Sequence, residues 1–426
     1  MWKHLKSIIL VFLMLVLSFS VATNSLNSEV ETATLEEVAE PLNVILPIAD
    51  LNVAGFQEGS IFTDTTLSLG YSHTCAILDN GSVTCWGKGS NGRLGNGGVL
   101  DKSSSTFTSS LGTGRNAVSI SSGGEHTCAI LDNGEVSCWG WGGRGQLGNS
   151  GTSNQMTPNL ISSLGTGRTA VSISSGSGHT CAILDSGEVS CWGGGNYGQL
   201  GNGGTLDKTT PTQISSLGTG RTAVSISSGG EHTCAILDNG SVSCWGNGNY
   251  GQLGNGGTSN KLTPTLTSSL GAGSKAVALT SGVSHTCAIL DSGEVSCWGR
   301  GNYGQLGSGG TSNKLIPTLT SSLGLNRTAV SISTGHDHTC TILDSGEVSC
   351  WGWGYHGRLG NGTTTNKLTP VLTSSLGSGR TAAALSLGGT HTCVVLDTGE
   401  VSCWGLGSDG QLGNGGTSNK LTPTLT

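Results

Sequence analysis

The chain has little charge and few aromatic residues: 11% Asp, Glu, Lys and Arg and 5% Phe, Trp and Tyr in 426 residues. It has no excess of positive charge, its net charge being −7 at pH 7. A chain of that balance is a poor candidate for neutralising nucleic-acid phosphates, so binding to nucleic acid is not expected. Beyond residue 22 there is no apolar run long enough to cross a bilayer as a helix, and Cys-x-x-Cys, the usual redox spacing, is absent. What the chain has instead is 73 Gly, 14 Cys and 10 Trp, with Ser and Thr throughout and 35% hydrophobic residues at regular intervals. Disorder is excluded by that periodic apolar content. Many short strands joined by tight turns are indicated, an all-β fold.

The first 22 residues stand apart. Lys3 and Lys6 precede an apolar run from Ile8 to Leu17, and Ser20-Val21-Ala22 offers small residues at a cleavage site. This reads as a secretory signal peptide over 1–22, which predicts a secreted or cell-surface protein. Residues 23–55 carry Glu29, Glu31, Glu36, Glu37 and Glu40 and read as an acidic linker, in which the apolar stretch Asn43 to Ile48 is a candidate edge strand.

From residue 56 to 426 one period accounts for the chain. Cys75, Cys128, Cys181, Cys234, Cys287, Cys340 and Cys393 are 53 residues apart without exception, and each is followed ten positions later by a second cysteine: Cys85, Cys138, Cys191, Cys244, Cys297, Cys350 and Cys403. In the second copy, Ala-Val-Ser-Ile-Ser (117–121) alternates as strand A, His-Thr-Cys-Ala-Ile-Leu (126–131) reads as strand B, and Glu-Val-Ser-Cys-Trp (135–139) as strand C. Thr157 to Ser163 forms a weaker outer strand D. Between B and C, Asp132-Asn133-Gly134 is a three-residue hairpin loop whose last residue needs positive φ, hence Gly. The loop sets the register: Ile130 opposes Val136 and Cys128 opposes Cys138. The cysteines then fall at a non-hydrogen-bonded pair, where opposed Cα atoms are closest and a disulfide fits. Four strands per unit and seven units make the arithmetic of a seven-bladed β-propeller with four-stranded antiparallel blades. An open β-solenoid is the alternative; strand length and the Trp closing each strand C favour blades.

The stretch "SISSGGEHTCAILDNGEVSCWGWGGRGQLGN" resembles the repeat of the regulator of chromosome condensation family: Gly before His-Thr, a turn with Gly, Val-x-x-Trp-Gly, then Gly-Gln-Leu-Gly. The resemblance covers seven copies of seven and implies a seven-bladed propeller. It implies little about activity, because similar repeats occur in nucleotide-exchange factors, in β-lactamase-inhibiting proteins and in exported proteins without an assigned role.

Several chemistries suggest themselves. His126, Cys128 and Cys138 lie on one sheet face and could converge on zinc. The disulfide is preferred: the cysteines form seven identical pairs with none left over, and an exported chain meets oxidising conditions. The family's His-Thr also occurs in repeats without cysteine, so the histidine has a role independent of a metal. Gly-x-G-x-x-G appears in every copy, as in Gly140 to Gly145, yet no helical pattern follows to hold a pyrophosphate, so these glycines are read as the C–D loop. An asymmetric acid–base set would break the repeat at one place, and none does. Neither a catalytic role, nor a metal, nor a cofactor is expected.

The copies differ at three places. Directly after Trp-Gly stand Lys88, Trp141, Gly194, Asn247, Arg300, Trp353 and Leu406. Farther along the same loop come Arg144, Tyr197, Tyr250, Tyr303, Tyr355-His356 and Asp409. Before the His-Thr come Tyr71, Glu125, Glu231 and His336-Asp337. In an up-and-down blade the A–B and C–D loops share a face, so these positions gather on one side, while uniform turns occupy the other. Exposed Trp, Tyr, Arg, His and Asp are the usual anchors of a binding surface. Drift at solvent positions is the competing account, and Trp141 and Trp353 count against it. The expectation is a monomeric binding module for an unidentified protein or surface macromolecule, with no membrane contact beyond the signal peptide. A guanine-nucleotide-exchange regulator is the alternative by resemblance, although uniform 53-residue spacing leaves no room for an inserted wedge. An inhibitor of an extracellular enzyme would use the same face.

Overall fold

The computed structural model describes residues 67–426, which form seven four-stranded antiparallel sheets, each built from one sequence repeat. The signal peptide, the acidic linker and the Asn43 to Ile48 strand lie outside the described residues. Within a blade the strands run in chain order, with A innermost and D at the rim. Blade 2 is representative, with A at Ala117–Ser122, B at His126–Leu131, C at Val136–Gly140 and D at Gln155–Leu160.

Burial follows from the layering. Strands B and C are buried at every residue in blade 2, because both of their faces meet a neighbouring blade, whereas strand D is half-buried or exposed. Each hydrophobic core lies between blades. Cys128, Ile130, Val136, Cys138 and Leu147 of blade 2 pack on Ala170, Ile173, Ala182 and Trp192 of blade 3, and the other interfaces repeat the arrangement. No blade could bury that surface alone, so the ring is what makes the core.

The B–C turn behaves as its residues dictate. Gly134 sits at φ +78, its N–H reaches Leu131 O, and Asn133 Oδ1 accepts from Glu135 N. Ile130 pairs with Val136 and Cys128 with Cys138. All 14 cysteines form the seven disulfides, each with a Cα–Cα distance of 4.1 Å. Strand D is the part read least well. It starts at Gln155 and ends at Leu160, two and three residues earlier than the sequence reading, with a bulge where it meets strand C. Ile161 and Leu164 leave the strand because they turn inward against the core between blades 2 and 3.

Among the described residues, blades 1 and 7 share no strand and meet by side-chain packing. Their contact is more apolar than the others near the axis: Leu69 and Leu387 stand where blades 2 to 5 have Ser122, Ser175, Ser228 and Ser281. Leu67, Leu69 and Trp86 join Ala384, Val395 and Leu412 in one cluster.

Candidate interaction face

Beneath the A–B and C–D loops lies a buried polar ring. In every blade the histidine opening strand B hydrogen-bonds the threonine of the next blade; His126 Nε2 is 2.9 Å from Thr180 Oγ1. That threonine donates its own hydrogen to a C–D loop carbonyl of the preceding blade, Thr180 to Gln146 O at 3.0 Å, and Trp192 Nε1 donates to the same oxygen at 2.9 Å. Because the threonine hydrogen is committed, the histidine donates from Nε2, and burial disfavours the charged ring. Burial drives the histidine pKa values down, to about 3 for His126, His232 and His391 and about 4 for His179 and His285. Each cysteine-flanking histidine is thus a structural member of an inter-blade network and no metal ligand is needed to explain it. Gly123 precedes the ring because a Cβ there would strike both the His126 imidazole and Gly176 O.

The C–D loop is held by its Gly-Gln-Leu-Gly. Gln146 Oε1 accepts from Arg144 N at 2.9 Å, Leu147 is fully buried, and Gly148, at φ +68, rests on the Trp192 indole, 2.7 Å from where a Cβ would lie. Five blades carry this glutamine cap, which accepts from the backbone N–H of Arg144, Tyr197, Tyr250, Tyr303 or Asp409. Blades 1 and 6 have Arg93 and Arg358 in place of the glutamine. There the cap is lost, the arginine Nε donates back to Ser90 O or Tyr355 O, and Asn91 and His356 move to φ 62 and 65. One residue type therefore selects between two loop shapes. These two buried arginines were not singled out in the sequence reading; the Gly-Arg-Leu-Gly variants were the available signal.

The loops bring most of the variable residues to one surface. Across blades 4 to 6 a continuous row runs from Tyr250 to Arg300 (5.4 Å to the ring centroid), Tyr303 (5.5 Å), Trp353 and Tyr355. Tyr303 stacks on Trp353 at 5.1 Å and 21°, and Trp353 on Tyr355 at 5.7 Å and 15°. Arg358 lies 4.2 Å from the Trp353 ring, and burial lowers its pKa to about 10. Tyr355 is 53% exposed, next to His356. At the axis, Tyr71 of blade 1 meets His336 of blade 6 edge-on, 5.6 Å between ring centroids. Lys88, Trp141, Arg144 and Tyr197 are half-buried on the same face, as are Glu125, Glu231 and Asp409.

Asp337 departs from the expected exposed set. Its side chain is buried, 2% exposed as a residue, accepting from Gln305 Nε2 at 2.9 Å and His336 Nδ1 at 2.6 Å, with Arg300 at 3.8 Å. A carboxylate buried this deeply needs such partners, and it positions the surface above it. Trp141 and Trp353 are likewise half-buried against neighbouring loops. The opposite face is uniform: Arg115–Asp132, Arg168–Asp185, Arg221–Asp238, Arg327–Asp344 and Arg380–Asp397 repeat one exposed ion pair.

The RCC1-like domain model matches residues 43–394, and the regulator of chromosome condensation (RCC1) repeat model matches 382–411. The chain belongs to the RCC1-like domain family. Among relatives of this RCC1-like chain, the Ultraviolet-B receptor UVR8 of Arabidopsis thaliana is 35% identical over 360 residues, covering 84% of this chain and 80% of the receptor. The E3 ubiquitin-protein ligase HERC2 of Homo sapiens is 33% identical over 366 residues, 85% of this chain but 7% of that protein. Among solved structures, yeast RCC1 (Prp20) bound to Kap60 superposes with a TM-score of 0.73 at 20% identity, covering 94% of this chain and 91% of that one. This likeness concerns the fold. The seven disulfides of this RCC1-like propeller suit an oxidising compartment.

Proposed function

We propose that this RCC1-like propeller is an exported binding module, without catalytic activity of its own, that engages a protein or other surface macromolecule through its A–B/C–D face. The observation that carries the reading is the Tyr250–Arg300–Tyr303–Trp353–Tyr355 row, on a face whose loops differ from copy to copy while the opposite face repeats one pattern. Rigid aromatic side chains lose little conformational freedom on binding, and together with arginine they dominate interface energetics. Yeast RCC1, which shares this fold, was solved with Kap60 bound, and this supports a protein as the partner. The signal-like residues 1–22 and the disulfides support export.

The test is capture from the surface and secreted proteins of the source cells and their neighbours, with the oxidised mature propeller beside a Trp141→Ala/Trp353→Ala double variant. A partner kept by the first and lost by the second supports the face. Identical capture by both, or capture by neither, overturns it.

A further inference from the structure

The seven quasi-equivalent blade junctions allow an internal comparison. At the second position of the A–B pair, blades 2, 4 and 6 carry Glu125, Glu231 and Asp337. Each carboxylate is met by donors. Glu125 accepts from Asn91 Nδ2 at 2.7 Å and pairs with Arg93 at 3.3 Å, both from blade 1. Asp337 accepts from Gln305 Nε2 of blade 5. Glu231 accepts from Asn247 Nδ2 at 3.0 Å. Asn247 belongs to the same blade as Glu231, whereas at Glu125 and Asp337 the C–D loop of one blade presents donors to a carboxylate on the next.

At the junction of blades 2 and 3 the donors are present without the acceptor. Arg144 and Gln146 occupy the repeat positions of Asn91 and Arg93, but the position equivalent to Glu125 is Gly178, and the one equivalent to Trp141 is Gly194. Gln146 is 0% exposed and its Nε2 has no hydrogen-bond partner among the described residues. Arg144 lies across the two glycines, its Cδ 3.6 Å and its Nη1 3.1 Å from where Cβ atoms of Gly178 and Gly194 would lie, with the Trp141 ring 3.9 Å from the former. Among the described residues Arg144 forms no ion pair within 4.0 Å. A buried donor left unpaired is costly, and an arginine beside it makes an anion the matching ligand. Gln411 Nε2 is also unpartnered, but Asp409 stands in the place of Arg144 there, which disfavours an anion.

We propose that the junction of blades 2 and 3 binds a carboxylate from an Asp or Glu side chain of the partner protein, which takes the place that Glu125 and Asp337 fill at their own junctions. The proposal rests on the interaction-face reading and adds the partner's chemistry and its point of attachment. Trp141 flanks the site and supplies apolar contact for the stem of the acidic side chain.

The internal comparison supplies the decisive variant. Gly178 lies outside the positive-φ set, and a Cβ there meets only ordinary van der Waals neighbours, so Gly178→Glu fits the fold and offers the site its own carboxylate. The propeller labelled with 15N-glutamine is titrated with acetyl-Ala-Glu-Ala-amide, acetyl-Ala-Gln-Ala-amide and acetate. The Glu peptide is expected to move the Gln146 side-chain amide signal, the Gln peptide to leave it in place, and Arg144→Ala to weaken the response about tenfold or more, the scale of a lost charge-assisted bond. Gly178→Glu is expected to shift that signal unaided and to abolish the response, while Gly178→Ala retains it. An equal response to the Gln peptide, a retained response in Gly178→Glu, or acetate matching the peptide overturns the assignment. In the capture experiment, a partner lost by the tryptophan variant but retained by Gly178→Glu would remove this inference and leave the face reading standing.

Discussion

His391 Nε2 lies 2.8 Å from Thr74 Oγ1, joining blade 7 to blade 1 across 317 residues of sequence. The same bond links each of the other blades to the next, so the ring closes on the contact that builds it. Thr74 also donates to Gln411 O at 3.0 Å, an oxygen that also accepts from Trp86. Thr74→Val keeps the shape but leaves a buried imidazole N–H without its acceptor. A loss of about 1–3 kcal/mol is expected, the cost of an unsatisfied buried group. Urea unfolding of Thr74→Val beside Thr233→Val would show whether the closing junction is weaker than an internal one. Hydrogen exchange should show blades 1 and 7 opening first in the former.

Acid should unfold the propeller through its histidines. The seven buried imidazoles have pKa values pressed below 6.5 by burial, to about 3 or 4 where a value is resolved. The unfolded chain takes up protons that the folded ring refuses. Their contribution to stability is therefore complete above about pH 6.5 and is lost as pH falls toward 3, at up to about 1.4 kcal/mol per pH unit for each histidine. The measurement is Tm from pH 8 to 4 with proton uptake on unfolding by calorimetry in buffers of different ionisation heat. Uptake of several protons near pH 5 is expected; none would show that the histidines are accessible when folded.

Each disulfide ties strand B to strand C within one hairpin, closing a short loop. Cys128→Ala/Cys138→Ala should cost about 2–3 kcal/mol at most, the chain-entropy value for a loop of this size. The loss should stay local, reported by hydrogen exchange in blade 2, because the His126–Thr180 bond and the Trp192 contact remain. Thiol titration of the unfolded oxidised protein should find no free cysteine.

Arg358→Gln should convert one loop shape into the other. The glutamine can cap the loop as Gln305 does, and His356 then no longer needs positive φ. The stack of Arg358 under Trp353 disappears, a contact worth about 0.5–2 kcal/mol. A changed Trp353 environment in fluorescence, with the global fold intact by circular dichroism, is the expected result. An unchanged loop in a crystal structure of the variant would show that neighbours, and not residue 358, choose its shape.

Much of this was legible in one dimension. Repeat period, strand content, hairpin register and cysteine pairing follow from local rules: alternation of apolar residues, a Gly at the turn, and a count outward from that turn to Cys128 and Cys138. Identical spacing carried them through seven copies. The grouping of variable loops on one face followed from up-and-down topology alone.

Most of the remainder depended on contacts between neighbouring blades, which no local pattern displays. Sequence could not tell that the histidine beside each disulfide reaches the threonine of the next blade, because the bond exists only once two blades are side by side. Nor could it tell that Asp337 is buried under Gln305 while Tyr355 protrudes, or that Trp353 lies between two tyrosines and above Arg358. The histidine–threonine ring and the unmatched Nε2 of Gln146 are both products of adjacency between repeats. The repeat unit by itself determined the blade; the packing of unlike loops on a nearly constant frame decided the chemistry of the face.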